Sequence, residues 1–164
     1  MENPFHFALV VGISRYPGGY SPLLGPVNDA RAFAAWATSP SGGGVPKENM
    51  ARCITPARGA MTLPKARPTK QIIDDELWLL RTKARAAYAR LPEDELVQAR
   101  EASRLYIYVA GHCIMPGGGV AALLDARAEP TRRTNLELSS YGSWFEQDGT
   151  FAEVCIFADC CRNY

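Results

Sequence analysis

One histidine and a pair of adjacent cysteines lie where this chain could do chemistry. His112 follows an apolar run that ends at Ala110, and Cys160 and Cys161 follow another that ends at Ala158. A thiol is a weak nucleophile at neutral pH unless a base or a cation lies near it, and histidine is the usual partner. The residue types therefore indicate a cysteine nucleophile paired with a histidine. A second interpretation stays open, in which the histidine belongs to a loop and the cysteines are small core residues.

The elements that must position these residues alternate along the chain. Apolar, β-branched runs predict strands, and apolar residues at helical spacing predict helices. The predicted strands are Phe5–Ile13, Met50–Thr55, Leu105–Ala110, Val120–Leu124 and Val154–Ala158, and the predicted helices are Val27–Ala37, a long one capped by Thr69, Pro92–Ala102 and Leu136–Phe145. This alternation predicts an α/β fold with a mainly parallel sheet and helices on both faces. Ligands in such sheets bind beyond the carboxyl ends of the strands, so we expect the histidine and the cysteines to meet there.

Composition limits the class of protein. The chain has 164 residues, of which 47% are hydrophobic and 21% charged, which is typical of one globular domain. A net charge of +1 does not favour nucleic acid, and we expect no nucleic-acid partner. No apolar run approaches the roughly 20 residues of a membrane span, and the start lacks the pattern of a secretory signal. We therefore expect a cytoplasmic protein without a membrane partner.

The five cysteines are odd in number and gather late in the chain, which favours reduced thiols over a disulfide framework. Zinc could compete for several of them together with the histidine; these residues are His112, Cys113, Cys155, Cys160 and Cys161. No Cys-x-x-Cys pair is present, and neighbouring residues of a strand point to opposite faces. We expect no metal. The glycines at 117–119 lack the lysine and hydroxyl residue of a phosphate-binding loop, so nucleotide binding is not expected.

The spacing of the reactive residues matches a known family. His112 lies 49 residues before Cys161, and Arg162 follows that cysteine, as in the signature of caspases. The sequence resembles the caspase-like cysteine peptidases, especially the prokaryotic caspase homologues and metacaspases. Four blocks carry the resemblance, and they are Ala8–Ile13, Leu24–Ala30, Tyr106–His112 and Cys155–Arg162.

The resemblance implies a three-layer α/β fold and a cysteine endopeptidase that acts through a thioester acyl-enzyme without a cofactor. It assigns the nucleophile to Cys161 and the catalytic histidine to His112, and it leaves Cys160 at a variable position. The backbone N–H groups of Cys113 and Cys161 are expected to stabilise the oxyanion. The family has glycine where this chain has Cys113, and if that glycine needs a positive φ, a cysteine there is strained.

The resemblance also assigns a substrate pocket. In metacaspase-like members, acids at the positions of Asp29 and Asp159 line a pocket for a basic P1 residue, which implies cleavage after Arg or Lys. Two ordinary interpretations stand beside this one. Asn28 and Asp29 are suited to cap a helix and complement its dipole, and Asp159 is suited to accept hydrogen bonds from loop amides at a strand end.

Only three residues follow Cys161 in the sequence, whereas in caspase-like folds further strands complete the sheet. The resemblance therefore implies that residues 1–164 are a large-subunit-like portion that lacks its C-terminal strands and takes a small-subunit-like segment in cis or in trans, besides its peptide substrate. On this basis we expect the chain to be inactive alone and to belong to a regulated proteolytic pathway of the defence or cell-death type. The acidic cluster through which some metacaspases bind calcium is not recognisable at Ala121–Asp125. The alternative from another class is a non-catalytic caspase-like interaction module, which Cys113 favours.

Overall fold

The computed structural model describes residues 2–56, 61–115 and 121–162, with Cys161 and Arg162 described by their backbone. Within these ranges the strands and helices alternate as expected. In chain order they are β1 (His6–Gly12), α1 (Pro26–Thr38), β2 (Met50–Ile54), α2 (Lys70–Tyr88), α3 (Glu93–Glu101), β3 (Arg104–Ile114), β4 (Ala122–Leu124), β5 (Asn135–Glu137), α4 (Leu138–Asp148) and β6 (Glu153–Arg162).

The strands form one mixed sheet in the order β2-β1-β3-β4-β5, with β6 paired to β3. The pairs β1 with β2, β1 with β3 and β3 with β6 are parallel, and the β4–β5 hairpin continues the sheet antiparallel from the end of β3. The prediction of an α/β fold with a mainly parallel sheet is confirmed.

Alternation along β1 and β3 divides the core into two layers, because successive side chains of a strand point to opposite faces. On one face, residues such as Leu9 and Ile107 pack against α2 and α4. On the other, Ala8, Tyr106 and their neighbours pack against the small residues of α1. Helices therefore cover both faces of the sheet.

The apolar spacing from Ile73 to Leu91 predicts one buried stripe on the long helix, and most of it is present. The buried residues of α2 are Ile73, Leu77, Leu80, Ala84 and Tyr88, whereas Ala87 is half-buried and Leu91, also half-buried, lies beyond the end of the helix. The helix begins as expected at Thr69, whose hydroxyl accepts a hydrogen bond from the N–H of Ile72 at 3.4 Å. Because this cap satisfies one of the free N–H groups of the first turn, it fixes the start of the helix.

Three expected boundaries were wrong in ways that matter for the site. The strand expected to end at Ala110 continues to Ile114, and the one expected to end at Ala158 continues to Arg162. Pairing with β4 and with each other supports both extensions. The helix expected from Leu136 begins at Leu138, because the residues before it pair with β4 as β5. Val120 and the glycines at 117–119 lie outside the described residues.

Candidate active site

The two candidate positions, 112 and 161, lie side by side on neighbouring strands. In the parallel pairing of β3 with β6, His112 is the register partner of Cys161, Gly111 of Cys160, and Cys113 of Arg162. The expectation that these positions lie just beyond the strand ends was wrong, since they lie within the last paired residues of both strands. The backbone nevertheless brings positions 112 and 161 side by side at the carboxyl end of the sheet.

The loop after β1 fixes the orientation of the His112 ring. The ring lies beside two tyrosine rings, with centroid distances of 4.8 Å to Tyr16 and 5.7 Å to Tyr20, and the residue is 8% exposed. Its Nε2 is 2.8 Å from the carbonyl oxygen of Ser21. A carbonyl oxygen only accepts hydrogen bonds, so Nε2 carries the hydrogen, and in the neutral ring Nδ1 is the basic nitrogen.

Tyr16 also holds the backbone of this strand. Its hydroxyl accepts a hydrogen bond of 2.9 Å from the main-chain N–H of His112. Burial raises the pKa of Tyr16, so the hydroxyl stays neutral. The neighbouring Gly111 makes room for it, because a Cβ at that position would lie 2.5 Å from the hydroxyl oxygen and 3.0 Å from Leu123 Cδ1. The glycine before the histidine is therefore required by close packing.

A disulfide joins the two strands next to His112 and Cys161, the candidate catalytic dyad. Cys113 and Cys160 are bonded, with their Cα atoms 5.6 Å apart. The expectation of reduced thiols was therefore wrong for these two residues. The reason is the register: Cys160 pairs with Gly111, and Cys113 lies two residues further along β3 on the same face, within the range that a disulfide spans. Cys53 and Cys155 are free.

The cysteine that replaces the family's glycine is not strained. Among the described residues no amino acid other than glycine has a positive φ, so Cys113 adopts an ordinary extended conformation within β3. Its side chain is buried in the core on the side of α2 and α4. The departure from the family pattern is therefore accommodated by the fold.

The structure shows a hydrogen-bond partner for one of the two acids of the expected pocket. The Tyr108 hydroxyl donates a hydrogen bond of 2.9 Å to Asp159. Burial and this bond raise the pKa of Tyr108, and the negative charges of Asp159 and Asp29 raise it further. Both acids are exposed. Asp159 is therefore fixed at the end of β6 by a side chain of β3, and Asp29 adds a second negative charge that acts on the same tyrosine.

The capping interpretation of the helix start was wrong in its position. The N-cap of α1 is Gly25, and the helix begins at Pro26, so Asn28 and Asp29 lie in the first turn. An acid there still complements the helix dipole. A Cβ at Gly25 would lie 2.7 Å from the Asp29 carboxylate, which shows that this carboxylate folds back over the start of the helix.

Metal binding finds no support at the described residues. No group of three or more His, Cys, Asp or Glu side chains in this part of the chain is arranged to hold an ion. Asp125, the acid at the end of the stretch where no calcium-binding cluster is recognisable in the sequence, is buried and accepts hydrogen bonds from the backbone of Lys70 and Arg127 and from the Thr134 hydroxyl. Its role in the structure is to tie the start of α2 to the loop after β4.

Several contributors to the site have no signature in the sequence. The Ser21 carbonyl acts through the backbone, which every residue has. Tyr16, Tyr20 and Tyr108 are aromatic residues in a turn-rich loop and a strand, and only the fold shows which of them contact the histidine or the acid.

The described residues contain no helix long and apolar enough to cross a membrane.

Comparison with known proteins finds similarity to a probable protease. No protein-family model matches the chain. The chain is 30% identical, over 174 aligned residues, to a probable protease from a Desulfuromonadales bacterium. The match covers 99% of this chain and 18% of the length of that protein. The chain is thus similar to one portion of a much longer protein.

Proposed function

We propose that this chain is the peptidase domain of a caspase-like cysteine endopeptidase, with Cys161 as nucleophile and His112 as its partner. The single observation that carries the proposal is the register pairing of these two positions, next to a histidine whose Nε2 is held by the Ser21 carbonyl. The similarity to a probable protease supports peptidase chemistry in general. The resemblance to caspase-like enzymes supplies the type of nucleophile.

In the proposed reaction the Cys161 thiolate adds to the scissile carbonyl, and the oxyanion is stabilised by the backbone N–H groups of Cys113 and Cys161. The C–N bond then breaks, and the proton held by His112 passes to the leaving amine. The product is a thioester between Cys161 and the acyl half of the substrate. Water, deprotonated by the same histidine, hydrolyses it. These steps need no cofactor.

We propose a basic P1 residue, Arg or Lys, as the specificity. The support is that Asp29 and Asp159 are both exposed and that the negative charges of both act on Tyr108, whose hydroxyl donates a hydrogen bond to Asp159. A guanidinium or ammonium group between them gains two opposite charges, whereas an aspartate would bring a third negative charge to the same place. The Tyr108 hydrogen bond holds the Asp159 carboxylate in place on the β6 strand.

A further strand, in cis or in trans, completes the substrate cleft in this proposal. Within the described residues β6 pairs with β3 alone, so its other edge is open. Phe157, Ala158 and Asp159 on that strand are exposed. Natural proteins cover such edges, because open N–H and C=O groups invite pairing. We assign the covering strand to a small-subunit-like segment and the whole to a regulated proteolytic pathway, as the resemblance implies.

A non-catalytic interaction module is the second candidate, and one observation favours it. The residue after the histidine is a half-cystine, where the family has a glycine that borders the oxyanion. Such a module would keep the fold and bind partners without cleaving them. It predicts that Cys161 reacts no faster than an ordinary thiol.

The experiment that distinguishes the two candidates is covalent labelling with a peptidyl chloromethyl ketone carrying arginine at P1, applied to the protein with the segment that completes its cleft. An active site should be alkylated stoichiometrically at Cys161, as located by peptide mass spectrometry, because the bound peptide places the ketone beside an aligned nucleophile. His112→Ala should abolish the labelling, and Cys155→Ala, which removes another cysteine of β6, should not. Equal, slow labelling of the free cysteines would contradict the peptidase and favour the module.

A further inference from the structure

We propose that the Cys113–Cys160 disulfide is a positioning element for the dyad, so that the reactivity of Cys161 depends on the oxidation state of these two neighbours. The inference rests on the proposed function, because it concerns the same nucleophile. Each half-cystine is the chain neighbour of one dyad residue, Cys113 of His112 and Cys160 of Cys161. The bond therefore joins the two strand ends at the point where the dyad must be aligned.

The β3 side of this junction is held without the disulfide. The Tyr16 hydroxyl accepts a hydrogen bond from His112 N–H, and Cys113 pairs with Leu123 of β4 as well as with β6. The end of β3 is buried and has neighbours on both sides. The Ser21 carbonyl and the rings of Tyr16 and Tyr20, all in the loop after β1, contact its histidine.

The end of β6 has fewer neighbours in the sheet than the end of β3 has. Among the described residues this strand has β3 as its sheet partner on one edge, and Phe157, Ala158 and Asp159 before the cysteines are exposed. Exposed backbone hydrogen bonds with few buried contacts are the ones that open first. A covalent bond from Cys160 to the buried Cys113 fastens this end of the strand to the rigid one. Dyads work only when both partners are held within about 0.5 Å of the productive geometry.

The bond is within reach of a reductant. Cys113 is 3% exposed, whereas Cys160 is half-buried, so a small dithiol can approach from the side of Cys160. One thiolate of the dithiol attacks a sulfur of the pair, the S–S bond breaks, and the second thiol closes the dithiol into a cyclic disulfide. Two electrons pass to the protein, and Cys113 and Cys160 each end as a protonated thiol. A disulfide oxidant such as oxidised glutathione reverses the exchange.

The test measures the rate at which iodoacetamide alkylates Cys161 as a function of pH. The background protein carries Cys53→Ser and Cys155→Ser, so that the free thiols do not interfere. Oxidised protein is compared with the Cys113→Ser/Cys160→Ser variant, which removes the bond with little change of volume. We expect alkylation at neutral pH to slow about tenfold in the variant and its pH profile to move toward that of an ordinary thiol. A merely structural role would lower stability and leave the profile of the folded protein unchanged.

The outcomes separate this inference from the proposed function. If peptide mapping without reductant finds Cys113 and Cys160 as thiols, or if the variant keeps the profile of the oxidised protein, the positioning role is wrong. If His112→Ala leaves the profile of the oxidised protein unchanged, the dyad itself is wrong. Should the double variant not fold, the background protein reduced by dithiothreitol and desalted without oxygen replaces it, with the same expected slowing and the same contradicting result.

Discussion

The Nε2 of His112 and the carbonyl oxygen of Ser21 are 2.8 Å apart although 91 residues separate them in the chain. The loop after β1 thereby determines which ring nitrogen of the neutral histidine carries the hydrogen. Because the acceptor is a main-chain atom, substitution of Ser21 itself leaves the contact in place. The course of the backbone in the loop after β1, and not the side chain at position 21, therefore sets the orientation of the histidine ring.

The proposed dyad of Cys161 and His112 predicts a steep loss of activity on substitution of either member. In the active form of the enzyme, Cys161→Ala and His112→Ala should each lower kcat/KM for an arginyl peptide at least about 10³-fold, as removal of a catalytic nucleophile or base generally does. The measurement is hydrolysis of a fluorogenic peptide. Cys155→Ala on the same strand serves as the matched control and should retain activity, because that thiol lies at the opposite end of β6. A fully active Cys161→Ala enzyme would contradict the assignment.

The proposed pocket of Asp29 and Asp159 predicts the P1 preference. Peptides that differ only at P1 should be cleaved after Arg or Lys about 10⁴-fold better than after Asp, since sites built on polar complementarity reject the wrong group strongly. Asp159→Asn should raise KM for the arginyl peptide more than it lowers kcat, because the proposed contact of this carboxylate is with the P1 side chain and not with the scissile bond. Glu153→Gln, at the other end of the same strand, is the control and should change neither. A preference for aspartate would refute the pocket and spare the dyad.

Close packing behind the histidine predicts a coupled effect on stability. Gly111→Ala should lower the free energy of unfolding by about 1 to 3 kcal/mol, because its Cβ would lie 2.5 Å from the Tyr16 hydroxyl oxygen. Tyr16→Phe should also lower the free energy of unfolding by about 1 to 3 kcal/mol, because it leaves the buried His112 N–H without its acceptor. In the Gly111→Ala/Tyr16→Phe double variant the added Cβ no longer meets a hydroxyl. Its loss in the free energy of unfolding should therefore be smaller than the sum of the losses of the two single variants. Urea denaturation of the four proteins tests this, and strict additivity would contradict the contact.

The fold was largely predictable because buried strands and long amphipathic helices have strong local patterns. The apolar runs of β1, β3 and β6 and the capped start of α2 at Thr69 were visible in the sequence, and with them the meeting of positions 112 and 161. The three-residue strand β5 was missed, because so short a segment has no period of its own and forms only by pairing with β4. The Cys113–Cys160 disulfide depends on the register of β3 with β6, which local patterns do not contain.

A half-buried ion pair predicts how stability changes with pH. The carboxylate of Asp148 accepts a hydrogen bond of 2.9 Å from Arg81 Nε, and the two side chains are 9% and 12% exposed. The Arg81 hydrogen bond, followed by one from Thr150, holds the pKa of Asp148 below its ordinary value of 3.8 against the opposing effect of burial. The folded state thus binds this proton less readily than the unfolded state.

The sign follows from that difference. The stabilising contribution of Asp148 is fully present above the unfolded pKa and is lost as the pH falls through the lower folded value. Asp148→Asn should therefore be less stable than the parent protein near neutral pH, and the gap between the two should narrow below about pH 4. Urea denaturation at a series of pH values measures it. The control is Glu153→Gln, whose carboxylate pairs with Arg104 at the surface and should contribute little at any pH. A gap that stays constant down to acid pH would show that Asp148 acts through packing and not through its charge.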